Sequence, residues 1–163
     1  MQERSETLEQ LPITKRGFEA LQKELEQLRT IERPKVISAI EEARAHGDLS
    51  ENAEYDAAKD RQGFIEGRIS ELQYKINCAN IIDTDKLEVK GKAIFGCTVV
   101  LENIDTGEEV TYQIVGSDES NINEGKISYT SPLGKSLIGK PVGADVTIIV
   151  PGGKRQYEII EIK

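Results

Sequence analysis

The sequence predicts an α+β protein: an antiparallel two-helix coiled-coil hairpin followed by a small β-sheet domain with one short helix. Three observations predict it. Apolar residues recur at spacings of 3 and 4 through two stretches of about 30 residues. Only a short polar run, His46-Gly47-Asp48, lies between those stretches. Near residue 81 the apolar period drops from 3.6 to 2.

The first helix begins near Thr14, a Thr N-cap after Pro12-Ile13. Phe18, Leu21, Leu25 and Leu28 form its apolar seam. The stripe goes on less cleanly through Val36, Ile37, Ile40 and Ala43. Pro34 interrupts it, since a mid-helix proline removes a backbone donor and kinks or breaks the element. The resumed stripe favours one long, bent helix over two short ones. The second seam reads Tyr55, Ala58, Gln62, Ile65, Ile69, Leu72, Ile76 and Ala79, with Gly63 and Gly67 weakening the helix locally. Two helices of similar length with a short connection must lie antiparallel. Each is roughly 45 Å long at helical rise, with residues 46–51 at the far tip.

Beyond the hairpin, Ala93–Glu102 and Glu109–Val115 read as strands around Asp105-Thr106-Gly107. Ser131–Ile138 reads as a short helix. Asp145–Val150 and Gln156–Ile162 read as a second hairpin around Pro151-Gly152-Gly153. The expected organisation is a disordered tail at 1–11, the hairpin at 12–82 and the sheet domain at 83–163.

Composition agrees with this plan. Charged residues make up 31% and apolar residues 37%, which suits a long solvated helical element. Residues 1–80 carry 12 Lys+Arg and 16 Asp+Glu, and residues 81–163 carry 9 and 13, so each part is −4 of the total −8. Neither is a basic module, and counterion release offers little for sequence-independent duplex binding. Cys78 and Cys97 fit no metal or redox spacing, and a reducing compartment suits them. No run approaches the roughly 18 apolar residues of a membrane span. The polar start MQERSETLEQ is no signal peptide, so a cytoplasmic monomer without a membrane partner is expected.

The tip carries the chemistry. Asp48 and Glu51 are three residues apart, which at a helix start places both on one side of the first turn. Asp-x-x-Glu is close to a capping box, with Asp48 as N-cap and Glu51 reaching back. Ser50 competes for the cap role. The other reading is metal presentation: two carboxylates form an incomplete Mg²⁺ site that a partner must complete.

HGDLSENAEYDAAK at the tip closely resembles the tip motif of the GreA/GreB transcript cleavage factors. PITKRGFEALQKELEQL resembles that family's first helix, and YTSPLGKSLIGK and GADVTIIVPGG resemble its C-terminal domain. The resemblance covers almost the whole chain from Pro12 onward. The absence of a strong basic face puts it on the GreA side. It implies a C-terminal domain similar to FK506-binding proteins. It implies a factor that binds bacterial RNA polymerase at its secondary channel and contacts the nascent RNA 3′ end within that complex. The family's acidic pair falls on Asp48 and Glu51, which help hold the second catalytic Mg²⁺ of the polymerase in a two-metal scheme. Such a chain is an accessory factor, not a nuclease by itself, and holds no cofactor alone. Family members that inhibit without cleavage have altered tips; here the pair is intact.

Arg44, Asn52 and Tyr55 flank the acids as tip support, with a solvated surface as the plain reading of Arg44 and seam packing that of Tyr55. His46 reads as a solvated loop residue. Arg29, Arg33, Lys35, Lys59, Arg61, Arg68 and Lys75 read as a solvated face; the family's transcript-contacting basic patch would draw on some of them. Ser131 and Pro132 match a polymerase-docking loop, Pro132 also reading as a helix-start proline. The rival functions are an inhibitory paralogue, a structural coiled-coil adaptor, and a prolyl isomerase or chaperone. The last needs an aromatic-lined pocket, and residues 81–163 hold only Phe95, Tyr112, Tyr129 and Tyr157.

Overall fold

A computed structural model describes residues 10–47 and 52–163. These form two compact units, residues 18–79 and residues 10–17 with 80–163.

In the first unit, helix α1 (Lys15–Gln27) runs through a π-helical turn (Leu28–Glu32) into α2 (Arg33–Ala45). Helix α3 (Ala53–Asn77) returns alongside. Leu21, Leu25, Val36, Ile40 and Ala43 are buried on the outgoing path, and Ala58, Ile65, Ile69 and Leu72 on the return. All belong to the expected seams; Ile37 departs from them, at 41% exposed.

The π-turn explains both Pro34 and the unclean stripe. A strict heptad from Leu21, Leu25 and Leu28 would continue at 32, 35, 39 and 42. The buried residues are Val36, Ile40 and Ala43, each one later. One extra residue has entered, and the wide turn absorbs it: the Arg33 N–H bonds to the Leu28 carbonyl five residues back. Pro34 then sits in the first turn of α2, where its missing N–H costs least. The backbone at Gln27, Glu32 and Arg33 stays right-handed helical, so the path is one helix.

Ion pairs border the seam and fix an antiparallel register. Glu24 takes Arg68 in a two-bond grip of 2.7 and 2.9 Å. Glu32 takes Arg61 at 2.7 Å, and Glu66 takes Arg33 through two bonds of 2.7 Å each. Arg68 also reaches Glu71 at 3.2 Å, and Glu71 accepts from Lys75 at 2.9 Å. Four of the seven basic residues considered for a transcript-contacting patch are therefore engaged by glutamates. Arg29 and Lys35 have no ion pair among the described residues, and Lys59 bonds to Gln62.

In the second unit, β1 (Leu11–Thr14) pairs with β2 (Ala79–Ile82), a small sheet that the residue pattern does not announce. By compactness, residues 10–17 and 80–82 group with the sheet unit. The expected disordered tail lies outside the described residues up to residue 9, and Leu11 is in a strand. Thr14 caps α1 as expected, its Oγ1 accepting from Gly17 N–H at 3.1 Å. Its hydroxyl donates to Glu119, whose carboxylate also accepts from the N–H groups of Thr14 (3.1 Å) and Gly116 (2.9 Å). A Cβ at position 17 would overlap that carboxylate, so a larger residue there would push the Glu119 side chain aside.

The main sheet holds β3 (Thr98–Asn103), β4 (Glu109–Val115), β5 (Lys126–Ser128), β6 (Asp145–Val150) and β7 (Gly153–Ile162), in the order β5-β4-β3-β7-β6. All neighbours are antiparallel except β4 and β5. The short helix α4 (Pro132–Leu137) adds Leu137 to a core with Val99, Leu101, Ile114, Val146 and Ile159. The expected strand from Ala93 starts at Thr98 instead, because Gly96, at φ 90°, turns the chain. Buried Ala93 bonds instead to the Gly139-Lys140 backbone. Strand β7 begins three residues earlier than expected, since Gly153 pairs with Val150 across a two-residue turn. Strand β5 has no counterpart among the expected elements: three residues are too few to show a period.

The Arg33–Glu66 pair gives a pH signature. Its hydrogen bonds hold the Glu66 carboxyl below the ordinary carboxylate range. A depressed carboxylate stabilises the fold above its unfolded pKa and loses that contribution as pH falls through its folded value. Arg33→Met should lower the thermal midpoint at neutral pH, and the gap to wild type should close in acid and narrow in high salt. Melts from pH 7 to pH 3 at two salt levels check this.

Candidate functional site at the hairpin tip

Helix α2 ends at Ala45. The N–H of His46 reaches the Ala43 carbonyl at 3.2 Å, and that of Gly47 reaches Arg44 at 3.1 Å. Gly47 has φ 98°, a left-handed conformation that a side chain disfavours. Glycine after the last turn thus stops the helix and turns the chain.

Helix α3 starts at Ala53, and its N-cap is Asn52. The Asn52 Oδ1 accepts from the Tyr55 N–H at 3.0 Å, while the Asn52 carbonyl accepts from Asp56 N–H at 3.1 Å. The Asn52 amide also donates to the Ala43 carbonyl at 2.8 Å. One side chain therefore caps one helix and bonds the last turn of the other. Glu54 and Asp56 place negative charge in the first turn, where the helix dipole favours it.

Asp48 and Glu51, and with them Ser50, lie outside the described residues. The capping reading is nevertheless corrected: the cap of α3 is Asn52, not Asp48 or Ser50. Asn ranks with Asp and Ser as an N-cap, so the signal is present in Asn52-Ala53-Glu54. The more conspicuous acidic pair obscures it.

Of the remaining tip residues, Arg44 is exposed, without an ion pair among the described residues. Tyr55 is half-buried, at its expected seam position. His46 is exposed, with Nδ1 at 3.6 Å from the Glu54 carboxylate.

The proposed docking residues lie in the second unit. Ser131 caps α4, its Oγ accepting from Gly134 N–H at 3.1 Å and donating to the Ser128 carbonyl at 2.6 Å. Pro132 opens the helix, as its reading predicts. Both line a cleft of about 370 Å³ whose apolar wall includes Tyr112, Leu133, Ile148 and Tyr157, with Lys126 and Arg155 also present. The cleft brings two of the four aromatics together; Phe95 and Tyr129 instead pack edge-to-face, 5.7 Å apart.

Two family models match. One is the N-terminal domain of transcription elongation factors, over residues 11–81; the other is the GreA/GreB C-terminal domain, over residues 88–163. The chain belongs to the GreA/GreB family. Transcription elongation factor GreA of Neisseria meningitidis serogroup A is 55% identical to it, over 96% of this chain and 99% of that one. GreA of Trichlorobacter lovleyi is 58% identical, over 94% and 96%. The solved structure of GreA factor homolog 1 of Thermus thermophilus is 31% identical over 94% of this chain and 99% of that one. Its TM-score is 0.44, so the fold rests on the elements themselves and not on that superposition.

Gly47→Ala should cost about 1–2 kcal/mol, the penalty of a Cβ in the left-handed region. Denaturant unfolding of the full chain checks this, with Gly152→Ala, where φ is not positive, as the control.

Proposed function

We propose that this chain binds bacterial RNA polymerase and stimulates the polymerase's own cleavage of the nascent transcript in backtracked complexes, donating Asp48 and Glu51 at the tip. The observation that carries the reading is Asn52 in the capping position. With the cap role filled by an amide, the intact acidic pair is not needed to start α3. Family membership across nearly the whole chain supplies the context.

The donor set suits Mg²⁺. Carboxylate oxygens are hard ligands, and Mg²⁺ commonly takes one or two of them with water and phosphate oxygens. Bound between polymerase and tip, the metal would supply the water activation of a two-metal hydrolysis. The chain's own contribution is narrower. The seam and its flanking ion pairs stiffen the hairpin. Gly47 and Asn52 end the two helices on either side of the acids. Ser131 and Pro132, at the rim of the apolar cleft, offer a docking surface to polymerase. The factor is an accessory: two carboxylates do not complete a catalytic metal site, and isolated chain should leave free RNA uncut.

The test uses Asp48→Asn and Glu51→Gln, which remove charge with little change of shape. Both should keep the wild-type melting midpoint and compete with wild type for polymerase. Cleavage in a backtracked complex should collapse, and raised Mg²⁺ should restore part of it by mass action. Retained cleavage in both single variants would sink the metal assignment. Cutting of free RNA by the purified chain would sink the accessory model.

A further inference from the structure

We infer that a solvent-facing stripe of α3 centred on Phe64 is a docking face, and that its partner is a basic protein surface of the polymerase. This rests on the proposed function and goes beyond it, because nothing in that reading calls on this face of the hairpin.

Helix α3 carries two stripes at heptad spacing. One is the seam. The other is Ala53, Ala57, Asp60, Phe64, Gly67 and Glu71, at spacings of 4, 3, 4, 3 and 4, and all six are exposed. A two-helix hairpin needs one buried stripe on each helix, so the second stripe is left over. Phe64, in its middle, is 76% exposed. A phenyl ring left in water forgoes the stabilisation that burial gives. Gly67 and its neighbour Gly63 have no positive φ, and a Cβ at either would meet nothing within 4 Å. Packing within the chain therefore does not require glycine at these positions, and glycine weakens a helix interior. Both lower the surface beside the ring: Gly63, Phe64, Gly67, Arg68 and Glu71 line a hollow of about 430 Å³. An aromatic knob next to such a hollow suits a protein interface, where aromatic side chains seated in pockets carry much of the binding energy.

Charge selects the partner. Asp60 stands one turn before Phe64 and has no ion pair among the described residues. Glu71 stands two turns after it. Arg61 and Arg68 border the ring on the seam side, but Glu32 holds the first, and Glu24 and Glu71 hold the second. The stripe itself carries two carboxylates and no cation. Phosphate meets repulsion there, which disfavours a base stacked on the ring. A second copy would set the same acidic stripe against itself, in a chain of net charge −8. A protein surface bearing arginine or lysine fits every feature. An apolar recess takes the ring, a cation meets Asp60, and a guanidinium lies on the ring face.

Three substitutions in the full chain test this by melting, by affinity for polymerase free of transcript, and by cleavage in a backtracked complex. Phe64→Ala should leave the melting midpoint in place and weaken binding about 10- to 30-fold. Cleavage should return to near the wild-type rate at saturating factor, because the ring docks and does not react. Gly67→Leu fills the hollow and favours the helix, so the midpoint should rise while affinity falls. A purely structural role would not move the two in opposite directions. Asp60→Lys should weaken binding, with a gap to wild type that narrows in high salt. Wild-type affinity in Phe64→Ala or in Gly67→Leu overturns the docking face. Tighter binding by Asp60→Lys, or a Phe64→Ala defect seen only when RNA is present, marks a transcript contact and overturns the protein partner. A wild-type dimer in sedimentation that Phe64→Ala dissociates marks a second copy and overturns it as well. If wild type itself fails to bind polymerase, the proposed function falls and this inference with it. If wild type binds and all three variants bind equally, this inference falls alone.

Discussion

A helix in a two-helix hairpin has one face to bury, and much of the first unit follows from that constraint. There is no third layer to cover a misplaced apolar residue. The stripe must therefore stay in phase along the whole length, and the borders of the seam must be closed by side chains that tolerate water. Glu24–Arg68, Glu32–Arg61 and Arg33–Glu66 do this with long aliphatic stems over the seam and charged ends toward solvent. Exposed pairs of this kind contribute little each. Their larger effect is on register: a slip of one residue would separate all three at once.

The same constraint reshapes the electrostatic picture. Three of the four arginines that stand out in the sequence as a basic surface, Arg33, Arg61 and Arg68, are matched with glutamates on the facing helix. In the sheet domain the charges are arranged differently. Glu109, Glu102, Glu158 and Asp145 lie directly opposite one another across β4, β3, β7 and β6. Like charges so placed disfavour the sheet slightly. They also give this face a field that repels phosphate, in keeping with a net charge of −8.

Local periodicity carries much of the fold. Both seams are legible because leucine and isoleucine recur at helical spacing over many turns, and β4, β6 and α4 because turn residues bracket them. What escapes is non-local. Strand β5 has three residues and a parallel partner, and β1 and β2 are four-residue strands with 64 residues between them, joined by a contact that no window of sequence contains. The Glu119 bonds to Thr14 span 105 positions. At the tip, the acids are conspicuous by charge, whereas the role of Asn52 depends on a carbonyl nine residues earlier that comes near only after the chain reverses. Sequence marks Asn52 as a neighbour of the acids and carries no sign of its bonds.

The π-turn at Leu28–Glu32 behaves like a dislocation in a crystal row. One surplus residue is confined to a single wide turn, and the pattern on either side is undisturbed: Leu21 and Leu25 before it, Val36 and Ile40 after it, are all buried. Residue count and facing are thereby uncoupled at this one place. A chain built this way can gain or lose a residue there and still present the same side chains to α3, while elsewhere along the hairpin a single insertion would rotate everything beyond it by about 100°. Pro34 marks the spot by excluding the ordinary hydrogen bond, so the defect stays where it formed and does not migrate along the helix.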